Sequence, residues 1–131
     1  MATRAVFCVI MCRRTNRFLF ELRSPEVNNP NCWGLFGGGV NKDERPVKAM
    51  RRELREETGF DFRDFDCVFR AGGALLYGKL VEHEFTPNLS EESAGYKWAV
   101  SIPQPIHKKI RKNIEALEEV IAHLTEMSEE I

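Results

Sequence analysis

The order of strand and helix signals in this 131-residue sequence predicts an α/β domain, and the length suits one such domain over residues 1–131. Three observations carry that expectation. An unbroken apolar run occupies Ala5–Cys12, a helical pattern with start and stop residues occupies 43–59, and a second apolar stripe at helical spacing occupies 106–127.

Taken in order, Ala5–Cys12 is rich in β-formers and ends in Arg13-Arg14-Thr15-Asn16, so it reads as a buried central strand. Residues 18–22 form a second short strand, with a hairpin turn at Thr15-Asn16. Two prolines and three asparagines make 24–31 a loop. Residues 33–40 carry Gly34, Gly37, Gly38 and Gly39, a strand end running into a tight loop. Asp43 is the expected N-cap of the first helix, Pro46 suits its first turn, and Gly59 suits the position just past its end. Val47, Met50 and Leu54 form its apolar stripe, with Glu53, Glu56 and Glu57 roughly 100° away. Arg51 and Arg55 point to solvent. Residues 67–70, 74–81 and 96–100 are further strands, and Gly72-Gly73 and Gly78 allow turns or bulges. In the second helix, Ile106, Ile110, Ile114, Leu117, Ile121 and Leu124 step by three and four to pack one face on the sheet.

Bulk properties exclude several classes. Hydrophobic content of 43% and charged content of 30% are those of an ordinary globule. A net charge of −1 leaves no global footprint for nucleic acid. None of the four cysteines forms a Cys-x-x-Cys pair, the three histidines lack zinc spacing, and Cys8 and Cys12 read as buried thiols. With no signal-peptide pattern and no run near the roughly 20 apolar residues of a membrane span, the expected location is the cytoplasm.

The most informative stretch is Arg52-Glu53-Leu54-Arg55-Glu56-Glu57. Its three carboxylates stand at i, i+3 and i+4, on one face of a helix. Like charges so placed repel, and a hard divalent cation, which takes oxygen ligands, gives them a reason to gather. The wider pattern of Gly38, Glu44, Arg52, Glu53, Leu54, Glu56, Glu57, Gly59 and Phe60 resembles the Nudix box over residues 38–60. Every fixed position matches. Phe60 is aromatic where the family is usually aliphatic, and Phe36 stands where many members have proline.

The resemblance implies a mixed β-sheet sandwiched between α-helices, and hydrolysis of a nucleoside diphosphate linked to another group with magnesium or manganese. It implies Glu56, Glu57 and the Gly37 carbonyl as metal ligands, with Glu53 as ligand or general base. Arg52 orients Glu53, Glu44 supports the metal shell, and Glu92 is a further ligand or base. Ser93 replaces the histidine of members that act on GDP-mannose. Arg23, Gly38, Gly39 and Tyr77 are candidate substrate residues. The substrate expected first is a nucleoside triphosphate or oxidised dGTP, as for MutT-like members. Dinucleoside polyphosphates or RNA 5′ ends come second, and a catalytically silent nucleotide-binding module is the alternative of another class. The expected partner is a small nucleotide, with no membrane, no strong nucleic-acid signal, and a monomer or a homodimer.

Overall fold

The run at Ala5–Cys12 is strand β1, and the sheet is organised around it. The computed structural model describes residues 2–28 and 30–131. After β1 come β2 (Phe18–Arg23), β3 (Trp33–Gly34), β4 (Phe36–Gly39), α1 (Pro46–Thr58), β5 (Cys67–Ala71), β6 (Ala74–Val81), β7 (Ser93–Ala99), α2 (Lys108–Lys112) and α3 (Ile114–Glu130). Among the described residues the strands form one mixed sheet in the order β3-β2-β1-β6-β5, with β4 also on β1 and β7 also on β2. β1 runs parallel to β6 along its whole length and antiparallel to β4 from Ala5 to Cys8.

Alternate residues of β1 point to two different cores. Val6, Cys8, Ile10 and Cys12 join Met50 and Leu54 of α1. Val9 and Met11 join Leu117, Val120 and Leu124 of α3. A strand covered on both faces has no polar side, which is why its sequence is an unbroken apolar run. The helices thus lie on opposite faces of the sheet, as expected. Cys8 and Cys12 are buried thiols, also as expected.

Several expectations change in the folded chain. The glycine segment does not leave the sheet: Phe36–Gly39 is strand β4, with Phe7 opposite Gly37 and Val6 opposite Gly38. The cap of α1 is Arg45, in extended conformation and without a side-chain hydrogen bond, while Asp43 sits at φ 63 in the preceding turn. Gly59 does end α1, in the left-handed conformation at φ 81. Val47 has the right angle for the buried stripe but lies in the first turn, where it is 41% exposed; Ala49, Met50, Leu54 and Thr58 are the buried residues. Glu57 falls within that arc, about 20° from Met50 around the helix, and is buried too. Arg51 and Arg55 both reach Asp61, at 3.2 and 3.7 Å.

The second helix is two helices. Asn113, at φ −115 and ψ 31, separates α2 from α3. Ile106 precedes both and is buried where it bridges to Trp33. The last strand begins at Ser93, three residues before Tyr96, and ends at Ala99. Gly78 makes neither turn nor bulge. It lies inside β6, where an added Cβ would come within 2.5 Å of Cys67 Sγ and 3.0 Å of Val120.

That close approach of α3 to β6 yields a prediction. Gly78→Val overfills the contact and lowers stability by about 1–3 kcal/mol, measured by urea unfolding. Wild-type stability in the variant would show that α3 does not pack on Gly78.

Candidate active site

Helix α1 lies across β1 and β4, and the glycines of β4 let it come close. A Cβ on Gly38 would stand 2.6 Å from the Glu53 carboxylate carbon, so the space of that side chain is the space the carboxylate uses. One residue earlier, the Gly37 N–H donates to Glu57 Oε1 at 3.1 Å. The glycine strand therefore presents backbone to two of the three glutamates.

Arg52 is the hub of the acidic face. Its Nε and Nη2 donate to the two oxygens of Glu44 at 2.9 and 3.0 Å, a paired contact. Its Nη1 donates to Glu53 Oε1 at 2.9 Å, and Nη2 also donates to the Gly39 carbonyl at 2.9 Å. Glu56 is at the margin, 3.5 Å from Arg52 with its side chain 57% exposed. These contacts hold the Glu44 carboxyl down at about 2, first through the Arg52 hydrogen bonds and then through the Asn41 N–H. Arg52 is raised in turn, chiefly by Glu44.

Glu57 is different. It is 3% exposed, and burial first, then the charges of Glu21 and Glu53, push its carboxyl far up. Among the described residues no three acidic, histidine or cysteine side chains are already gathered into a metal-holding set. The donor chemistry nonetheless fits a hard cation: carboxylates crowded in low dielectric beside exposed glycine backbone are what such an ion offsets.

The remaining expected residues lie around this centre. Glu92 is exposed on the loop before β7, and its carbonyl accepts the Ser24 N–H at 3.0 Å. Arg23, at the end of β2, donates Nε and Nη2 to the Asn28 carbonyl at 2.9 and 2.7 Å. Gly38 and Gly39 lie on β4 beside the acidic face. Tyr77 is placed elsewhere: it is 7% exposed, in the core, with its ring 4.9 Å from that of Phe65. No substrate contact is assigned to it, because β6 is covered on that face.

One buried acid beside this centre escaped the sequence reading. Glu21 is 2% exposed on β2 and accepts a hydrogen bond from the Ser93 hydroxyl. Burial raises its carboxyl, and Ser93 opposes that rise. Its signal in the sequence was a lone acid inside the apolar run Phe18-Leu19-Phe20-Glu21-Leu22.

Behind β4, on the α2 side of the sheet, lies a cavity of about 220 Å³. Phe7, Leu76 and Ile110 form its apolar floor, with Arg4, Lys109 and Lys112 also lining it.

The NUDIX domain model matches residues 1–115. The chain belongs to the NUDIX family. Divalent metal use is general in that family. An RNA pyrophosphohydrolase of Actinobacillus succinogenes is 30% identical over 82 residues, 60% of this chain and 40% of that protein. A nucleoside triphosphatase NudI of Klebsiella pneumoniae is 36% identical over 59 residues, 45% of this chain and 42% of that one. The NUDIX chain thus matches less than half the length of each of these relatives. The MutT NUDIX hydrolase structure from Burkholderia pseudomallei is 25% identical, with TM-score 0.62 over 89% of this chain and 99% of that one.

Two outcomes are expected at this site. Gly38→Ala leaves the NUDIX fold intact by circular dichroism and displaces the Glu53 carboxylate, lowering activity by roughly 10²-fold, the scale for a misplacement of about 1 Å. A variant as active as wild type would mean that the close approach is not needed. The second concerns acid. The folded Glu44 carboxyl lies at about 2, below its ordinary value of 4.5. The stability it contributes is therefore full above that ordinary value and is lost as pH falls toward the folded one. Glu44→Gln lowers the melting temperature at pH 6, and the difference from wild type shrinks at pH 3. An equal difference at both pH values would reject the assignment.

Proposed function

We propose that this NUDIX chain is a metal-dependent pyrophosphohydrolase that cleaves a phosphoanhydride in a nucleoside diphosphate linked to another group. The observation that carries the reading is the intact box folded so that Glu53 and Glu57 meet the glycine strand at Gly37 and Gly38. Nucleoside triphosphates, including oxidised dGTP, are the first substrate class. The resemblance to NudI and to the MutT structure supports that choice.

Roles follow from position. Glu56, Glu57 and the Gly37 carbonyl would hold magnesium or manganese, and Glu53 is ligand or general base. When bound, the metal neutralises phosphate charge and lowers the pKa of a water. Arg52 holds Glu53 in one orientation through its Nη1 donor, while Glu44 fixes Arg52 from the other side. Glu92, on the loop before β7, would be the second candidate base. Gly38 and Gly39 admit phosphate close to the backbone, and Arg23 offers a cation at the end of β2. The apolar floor of the cavity behind β4 suits a nucleobase, since ligand pockets are mostly apolar with a few polar groups. No described helix is long and apolar enough to cross a membrane. A cytoplasmic monomer or homodimer acting on a small nucleotide is the setting proposed.

A second reading has its own observation. Arg4, Lys109 and Lys112 line the cavity, and none makes an ion pair among the described residues. A substrate with further phosphates, an RNA 5′ end or a dinucleoside polyphosphate, would use them. The resemblance to an RNA pyrophosphohydrolase supports this second reading.

A panel of canonical and oxidised nucleotides, dinucleoside polyphosphates and 5′-triphosphate RNA, with product identification, separates the readings. Glu53→Gln is expected to lower kcat by about 10²–10⁴-fold, the range for a positioned acid–base group, and Glu57→Gln to raise the magnesium needed for half-maximal rate. Activity untouched by both substitutions would sink the metal-helix mechanism. No product from any substrate would favour a binding-only module. Lys109→Ala with Lys112→Ala raises KM for the RNA substrate far more than for a free triphosphate if the second reading holds.

A further inference from the structure

A buried carboxylate that does not belong to the box lies beside Glu57. Glu21 comes from β2, on the face of the sheet that carries Leu19, and Leu19 belongs to the core under α1. The register of β2 with β7 sets Glu21 opposite Tyr96 and Leu19 opposite Trp98. Glu21 therefore faces α1, where Glu57 is its buried counterpart; they are 2% and 3% exposed.

The cations supplied by the chain offset this charge only in part. Arg52 is committed to Glu44, Glu53 and the Gly39 carbonyl. Arg23 Nη1 stands 3.8 Å from Glu21 Oε1, while the rest of its guanidinium donates to the Asn28 carbonyl. Two buried carboxylates facing each other, with the Arg23 guanidinium at ion-pair distance from Glu21 alone, oppose folding. The Ser93 hydroxyl fixes Glu21 on the other side. Ser93 follows Glu92, so the same hydrogen bond anchors the end of the loop that carries Glu92.

We propose that Glu21 is a further carboxylate of the divalent-metal centre, held toward Glu57 by Ser93. This rests on the metal-dependent reading above, and it adds β2 to a site otherwise built from α1 and β4. The isosteric change Glu21→Gln retains a hydrogen-bond acceptor for Ser93 and removes the charge. It separates a role in metal binding from packing alone.

The test is a calorimetric titration of the metal-free protein with Mn²⁺ and no substrate, together with thermal melts. Glu21→Gln is expected to weaken Mn²⁺ binding about 10–100-fold, the range for groups that support a metal site. It is also expected to melt no lower than wild type without metal, and to gain less from added Mn²⁺. Ser93→Ala keeps the carboxylate but frees it, and is expected to weaken binding several-fold. Glu118→Gln, an exposed acid on α3, leaves binding unchanged. Mn²⁺ affinity within about twofold of wild type in both folded site variants overturns the proposal, as does an equal loss in Glu118→Gln. Wild-type protein that fails to bind Mn²⁺ rejects instead the metal-dependent reading on which it rests.

Discussion

The rest of the site depends on how closely α1 lies on the glycine strand β4. At Gly38 there is no room for a side chain because the Glu53 carboxylate is there, and at Gly37 the backbone N–H is the hydrogen-bond donor to Glu57. Two neighbouring residues without side chains thus turn a strand into a polar wall for a helix. That contact determines where Glu53 and Glu57 stand relative to each other. It also brings the Gly39 carbonyl within reach of Arg52, so one guanidinium ties the strand, the preceding loop and the helix together.

Such an arrangement concentrates negative charge at the edge of an apolar core. Val6, Cys8, Met50 and Leu54 pack directly under the acidic face. Charge buried there is poorly solvated, and each carboxylate raises the cost of ionising its neighbour. Arg52 relieves Glu44 and Glu53, whereas Glu57 has only the neutral Gly37 N–H, and Glu21 has the Ser93 hydroxyl with the Arg23 guanidinium 3.8 Å away. The folded protein is therefore electrostatically incomplete in the direction that a divalent cation would correct. The apolar clusters on both faces of β1 supply the burial that tolerates this deficit.

The box itself was readable because its logic is local. The i, i+3, i+4 spacing of Glu53, Glu56 and Glu57, the Pro46 start and the Gly59 stop all act within one helix. The positions that misled share another property, since each is decided by contacts between distant segments. Gly37, Gly38 and Gly39 look like a loop until β1 pairs with them. Gly78 looks like a turn until α3 packs on it. Val47 fits the apolar stripe by angle, but no neighbour covers the first turn. Asn113 breaks what periodicity alone joins into one helix.

The helix that carries the acidic residues, the buried central strand, and the pairing of carboxylates with a glycine segment that marks the family are all legible in the residues alone. Those features follow from backbone periodicity and from residue chemistry within a short span. Which carboxylates are dry depends on how the distant segments pack. Glu56 stays in solvent and Glu57 does not, because the arc of α1 that faces β1 and β4 includes one and not the other. Glu21 enters from a strand more than thirty residues away, placed by the register of β2 with β7. Burial is a sum over neighbours from the whole chain, and no single stretch of sequence holds that sum.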